Sequence, residues 1–138
     1  MAIGNFSVFL VPLPTLLVTG GIGLAGGLGA LARYLLARFI AERVTSRYPL
    51  GTFLINVTGS FLIGLLFSLT SHALIPTTTQ LILATGFLGG YTTFSTMSWE
   101  SVQLARGGST RASLFYLSSS LFIGLLAAYL GILAGGAI

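Results

Sequence analysis

Polar side chains recur at helical spacing inside otherwise apolar stretches, and the chemistry they could perform together is the handling of a small ion. Asn56 is followed by Ser60 and Gly64 at i+4 and i+8, which places all three on one face of a helix. The amide of Asn56 carries donors and an acceptor that must find partners away from water. Ser113, Tyr116, Ser120 and Gly124 form a second stripe at i+3/i+4 spacing. A row of hydroxyls offers O–H donors without fixed charge, which suits an anion that must pass rather than stick. Between these stripes, Gly86-Phe87-Leu88-Gly89-Gly90-Tyr91-Thr92-Thr93-Phe94-Ser95-Thr96-Met97-Ser98 sets adjacent glycines and a run of hydroxyl residues in the middle of a third apolar stretch. Gly and Thr are poor helix formers. A helix broken in lipid leaves unpaired carbonyls, tolerated where they line a cavity or coordinate an ion. Plainer uses exist for each group: an interhelical hydrogen bond for Asn56, and hydroxyls bonded to their own i−4 carbonyls along unbroken helices. For the third stretch the expectation is a break.

The rest of the composition says what must position these residues. The chain has 138 residues, 54% hydrophobic and 6% charged, with six arginines, no lysine, two glutamates and one histidine. Soluble domains carry about 25% charged residues, so this is an integral membrane protein. A span needs about 20 mostly apolar residues, and four are expected, over residues 15–38, 50–70, 80–104 and 112–134. The fold class is thus an all-α membrane protein in which residues 1–138 form a single four-span domain. Met1–Pro14 lacks a basic segment and reads as a small extension along the membrane surface rather than a cleaved signal peptide. The formal charge of +4 is scattered among apolar runs, unlike the dense basic face of a nucleic-acid binder. The absence of cysteine excludes disulfides, thiolate metal sites and cysteine nucleophiles. With no carboxylate pair, histidine cluster or nucleophile–base set, an enzyme is not expected. His72 falls in a connection and reads as a surface histidine. Glu100 stands near the end of the third span beside Trp99, a residue typical of the interface.

So short a chain can hardly enclose a solute path by itself, so oligomerisation is expected from size. Gly23 and Gly27 at GxxxG spacing allow close backbone approach in lipid, either within one subunit or across a dimer seam.

Three segments resemble the Fluc, or CrcB, fluoride channels: Gly27-Leu28-Gly29-Ala30-Leu31-Ala32-Arg33-Tyr34, Gly51-Thr52-Phe53-Leu54-Ile55-Asn56-Val57-Thr58-Gly59-Ser60, and, most specifically, Gly89-Gly90-Tyr91-Thr92-Thr93-Phe94-Ser95-Thr96. Tyr116 to Ser120 fits more loosely. The resemblance implies a dimer of antiparallel subunits in the lipid bilayer with two pores at their interface, and passive export of cytoplasmic fluoride that relieves its toxicity. It also implies a central structural sodium ion held by the backbone carbonyls of Gly89 and Thr92. Asn56 matches the pore asparagine, Ser95 and Thr96 a polar track, and Tyr116 and Ser120 the track of the fourth helix. Phe94 matches the first of two phenylalanines whose positive ring edges face the anion. Met97 stands where the second would be, a departure that removes one ring edge. Arg33 and Glu100 match charged positions near the vestibules.

Two rivals follow from the same size and hydropathy. A small multidrug exporter needs an intramembrane carboxylate, and the first span has none. A non-transporting membrane subunit would pack by its glycines alone. The arginines bear on assembly. Arg33, Arg38, Arg43, Arg47, Arg106 and Arg111 are expected on one membrane side, whereas a dual-topology homodimer should show little such bias. Either dimer folding overrides that bias, or the partner is an oppositely inserted homologue.

Overall fold

A computed structural model describes residues 12–138, so most of the expected surface extension, Met1–Pro14, lies outside the described residues. Helix α1 (Leu13–Arg43) opens on prolines, which suit a first turn because their missing N–H would be unpaired there anyway. It continues past Arg38, where the apolar run stops. The charged residues end the hydrophobicity but not the helix, since Arg, Glu and Ala are good helix formers. Arg38 Nε donates to Glu42 Oε1 at 2.7 Å across one turn, and the Arg43 guanidinium lies 3.9 Å from the centre of the Phe39 ring. At 31 residues, α1 is about 46 Å long and extends well past a hydrocarbon core of about 30 Å.

Helix α2 (Leu50–Ser71) follows Pro49 and ends at His72, an exposed residue whose Nδ1 lies 2.8 Å from the Ser68 carbonyl. The third apolar stretch is not one helix. A short turn α3 (Thr77–Gln80) leads into a π-helical segment, Leu81–Leu88, and then α4 (Gly89–Tyr91). Thr92 and Thr93 are extended, and α5 (Phe94–Arg106) resumes beyond them. π-helical turns are rare and concentrate at functional sites; here one runs directly into the break. The glycines Gly89 and Gly90 are themselves helical, so the interruption falls just after them. A tight turn with Gly108 at φ +84°, where glycine has no steric penalty, leads into α6 (Thr110–Gly136).

All described elements are helical, and α1, α2 and α6 are long and apolar enough to cross a membrane. Helix α2 packs along α6, and α1 packs against the first half of the broken stretch. This second contact depends on missing side chains. A Cβ at Gly29 would collide with the Phe87 carbonyl oxygen, and one at Gly90 with the Gly26 carbonyl oxygen. By contrast, a Cβ at Gly23 or Gly27 would meet nothing within 4 Å. Among the described residues the GxxxG pair therefore has no packing role inside the subunit.

Candidate functional site

Two residues in extended conformation interrupt the third apolar stretch at Thr92 (φ −78°, ψ 158°) and Thr93 (φ −149°, ψ 120°). Every backbone group released there needs a new partner. The Thr92 N–H still reaches the Leu88 carbonyl at 2.9 Å, and its Oγ1 donates to the same oxygen at 2.9 Å. The next residue is paired by a side chain. The Thr93 N–H donates to Asn56 Oδ1 at 2.8 Å, while Asn56 Nδ2 donates to the Thr93 carbonyl at 2.9 Å. One side-chain amide thus satisfies both backbone groups of Thr93, as a neighbouring peptide would. Asn56 keeps one further N–H free of this pairing. Thr93 is the N-cap of α5: its Oγ1 accepts from the Thr96 N–H at 3.2 Å and donates to Thr96 Oγ1 at 3.0 Å.

The Gly90 carbonyl accepts from Arg33 Nε at 3.1 Å. Sequence reading sets Arg33 near the end of its helix, but α1 runs ten residues further, to Arg43. At about 1.5 Å per residue, Arg33 lies about 15 Å inside that end, level with the break. It is a half-buried cation on a helix long and apolar enough to cross a membrane, and a charge inside such a span costs roughly 3 kcal/mol and marks function by default.

Two clefts flank the break and share Thr93. One, of about 210 Å³, brings Asn56, Ser60, Thr92, Phe94 and Met97 together. The other, of about 250 Å³, is lined by Arg33, Tyr34 and Thr96 among others. Phe94 is 78% exposed, a bare aromatic ring at the start of α5. Met97 is half-buried and Ser95 exposed.

Tyr116 and Ser120 lie elsewhere. Tyr116 is fully enclosed and donates to Glu100 Oε2 at 2.7 Å, while Thr52 Oγ1 donates to Glu100 Oε1 at 2.8 Å. Both carboxylate oxygens are thereby held. Ser113 pairs with Ser101 at 2.7 Å, and Ser120 Oγ is buried with no partner. The hydroxyl stripe of α6 thus faces its own subunit, with Ser120 as its one unspent group. On one edge of Glu100 opens a cleft of about 470 Å³ lined by Arg47, Trp99, Gln103 and Ser109. Glu100 also lines a second cleft, of about 380 Å³, together with Tyr48, whose hydroxyl lies 2.6 Å from Ser119 Oγ and whose ring meets Tyr116 edge-on at 5.2 Å.

Sequence reasoning missed Thr93, Thr52 and Tyr48. A threonine directly before a helix, with its N3 residue polar, is an N-cap pattern, readable once the break is placed after the glycines. Thr52 and Tyr48 gave no signal, because their partners are distant in sequence.

The residues can hold a cation without any charged ligand. Among the described residues no group of three or more His, Asp or Glu side chains comes together. The carbonyls of Gly89 and Thr92, however, accept no hydrogen bond among those described. Neutral backbone oxygens are ligands for hard cations, so this donor set fits sodium.

Comparison with known proteins gives the family of the chain. Over 118 residues the chain is 46% identical to the fluoride-specific ion channel FluC of Acidobacterium capsulatum, covering 85% of this chain and 94% of that one. It is 47% identical over 122 residues to fluoride-specific ion channel FluC 1 of Leifsonia xyli subsp. xyli, covering 88% and 89%. With a fluoride-specific ion channel FluC of Thermus thermophilus it shares 42% over 117 residues, covering 85% and 92%. The family described as CrcB-like protein, camphor resistance (CrcB), matches residues 21–132. The chain, a multi-pass bacterial membrane protein, therefore belongs to the CrcB family.

Proposed function

We propose that this protein is a fluoride-selective channel, not an enzyme, and that it lets cytoplasmic fluoride leave down its own gradient. The observation that carries this reading is the break at Thr92–Thr93, held by Asn56 and Arg33 in a chain whose relatives are named fluoride-specific ion channels. Fluoride enters cells as the neutral acid and ionises inside, so a passive pore suffices for export. Asn56, Phe94 and Met97 share one cleft, and Arg33 and Thr96 share the other. In this reading fluoride passes along them, drawn by the Asn56 N–H that the Thr93 pairing leaves free, by the Phe94 ring edge and by the Arg33 charge. Ser95 extends this polar track, whereas Tyr116, enclosed with its hydroxyl given to Glu100, and Ser120, buried within the same subunit, lie off it. Met97 offers a polarisable thioether where a ring edge would stand.

The four spans and the single membrane domain belong to this reading, with the two halves of the broken stretch making the third crossing. So does the antiparallel dimer. One subunit leaves Phe94 bare and the faces of Gly23 and Gly27 unpacked, and a second copy inserted the opposite way would cover them. The arginines of the loops and helix ends lean to one membrane side, which keeps an oppositely inserted homologue as the alternative partner. A sodium ion at the centre of the dimer would be held by the Gly89 and Thr92 carbonyls and would neutralise oxygens that lipid cannot satisfy. Its role is structural.

Expression in a bacterium lacking fluoride export tests this reading in cells. The protein is expected to restore growth in fluoride at acidic external pH, where the neutral acid enters fastest. An exporter of cationic drugs would instead raise drug resistance and leave fluoride sensitivity unchanged.

A further inference from the structure

We propose that Asn56 and Thr93 are positioning residues for the cation site, each diverting the one amide N–H that would otherwise close on a carbonyl the cation needs. The inference rests on the sodium reading above and goes beyond it by saying what keeps the ligands free.

In a continuous helix each carbonyl accepts from the N–H four residues later. For Gly89 that donor is the N–H of Thr93, and for Thr92 it is the N–H of Thr96. Both donors are engaged elsewhere. The Thr93 N–H is bound to Asn56 Oδ1 at 2.8 Å, and the Thr96 N–H to Thr93 Oγ1 at 3.2 Å. Of the other carbonyls along this segment, those of Leu88 and Gly90 are satisfied, while that of Tyr91 accepts no hydrogen bond among those described. Gly90 receives Arg33 Nε at 3.1 Å, and Leu88 receives both the N–H and the hydroxyl of Thr92. The Tyr91 carbonyl loses its partner to the break alone, whereas at Gly89 and Thr92 a side chain holds the amide that would otherwise return to the carbonyl. Burial sharpens the competition: Thr93 is 9% exposed, so an amide released there has no water to turn to, and the i−4 carbonyl becomes its nearest acceptor.

The consequence is a coupling between side chains that do not touch the ion and the affinity for it. Thr93→Val keeps the branched shape but removes the acceptor for the Thr96 N–H. Asn56→Ala removes the acceptor for the Thr93 N–H. Thr93→Ser keeps the acceptor.

The test is thermal unfolding of the purified protein in detergent, with sodium exchanged for potassium at constant ionic strength. A ligand that binds only the folded form raises the midpoint, and the unsubstituted protein is expected to melt at least about 3 °C higher in sodium. Thr93→Val and Asn56→Ala are expected to lose that difference, and Thr93→Ser to keep it. A general loss of packing would lower the midpoint equally in both salts and leave the difference intact. Full retention of the sodium response in Thr93→Val or in Asn56→Ala overturns the inference while the sodium reading stands. No sodium-specific rise in the unsubstituted protein removes the sodium reading, and the inference with it.

Discussion

Asn56→Asp is expected to suppress fluoride conduction at least about a hundredfold. Asn56 reaches the break with one donor and one acceptor, pairing the carbonyl and the N–H of Thr93. A carboxylate keeps the acceptor and loses the donor, so it sets negative charge against the Thr93 carbonyl and against any anion in the cleft it shares with Phe94 and Met97. Two unit charges about 4 Å apart at an effective dielectric of about 20 repel by about 4 kcal/mol. A barrier raised by even about 2.8 kcal/mol slows passage a hundredfold. The variant also separates the two roles of this residue. Its remaining acceptor still engages the Thr93 N–H, so the sodium-dependent rise in melting temperature should persist while fluoride efflux is lost. Undiminished efflux would remove Asn56 from the pore.

The second large effect is expected at Arg33. Its guanidinium spends Nε on the Gly90 carbonyl and lines the cleft that also holds Thr96. Among the described residues no acidic side chain pairs with it, so its charge is available to an anion. Arg33→Gln should lower fluoride efflux at least about tenfold, because one positive charge acting across a few ångströms of protein contributes about 2–4 kcal/mol to an anion's stability there. Arg33→Lys restores the charge and a donor for Gly90 without the planar fork, and should recover most of the lost rate. Efflux measured for both variants in the same vesicles checks this pair. Equal loss in both would assign Arg33 to geometry rather than to charge, and no loss in either would place it outside the path.

Membrane class, helical fold and a broken third stretch were all legible in the sequence, because lipid makes each polar residue in an apolar run conspicuous. The limits of α1 were not. Hydropathy stops at Arg38, whereas helix propensity and the Arg38–Glu42 pair carry the helix on to Arg43, and that shift moves Arg33 from near the helix end to ten residues inside it. The break was readable to within a few residues. Adjacent glycines look like the weak point, yet Gly90 is used for close approach to Gly26, and the chain opens at Thr92–Thr93, where side chains can take over the backbone groups. The sequence reading of Asn56 as a polar residue needing a partner was sound. That its partner is the backbone of Thr93 depends on which turn of α2 faces the break, and no local pattern encodes this. The hydroxyl stripe of α6 was visible as a stripe. Its direction, toward Glu100 and Ser101 within the same subunit, is set by packing against α2 and α5.

The central claim is most directly tested by ion efflux from liposomes holding the purified protein in sodium-containing buffer. Fluoride-loaded vesicles should discharge through a passive, electrogenic pathway when a potassium ionophore supplies the counter-current, and should hold fluoride without it. Chloride-loaded vesicles should stay loaded under both conditions. Absence of fluoride efflux from folded protein, or chloride efflux at a comparable rate, would contradict the account.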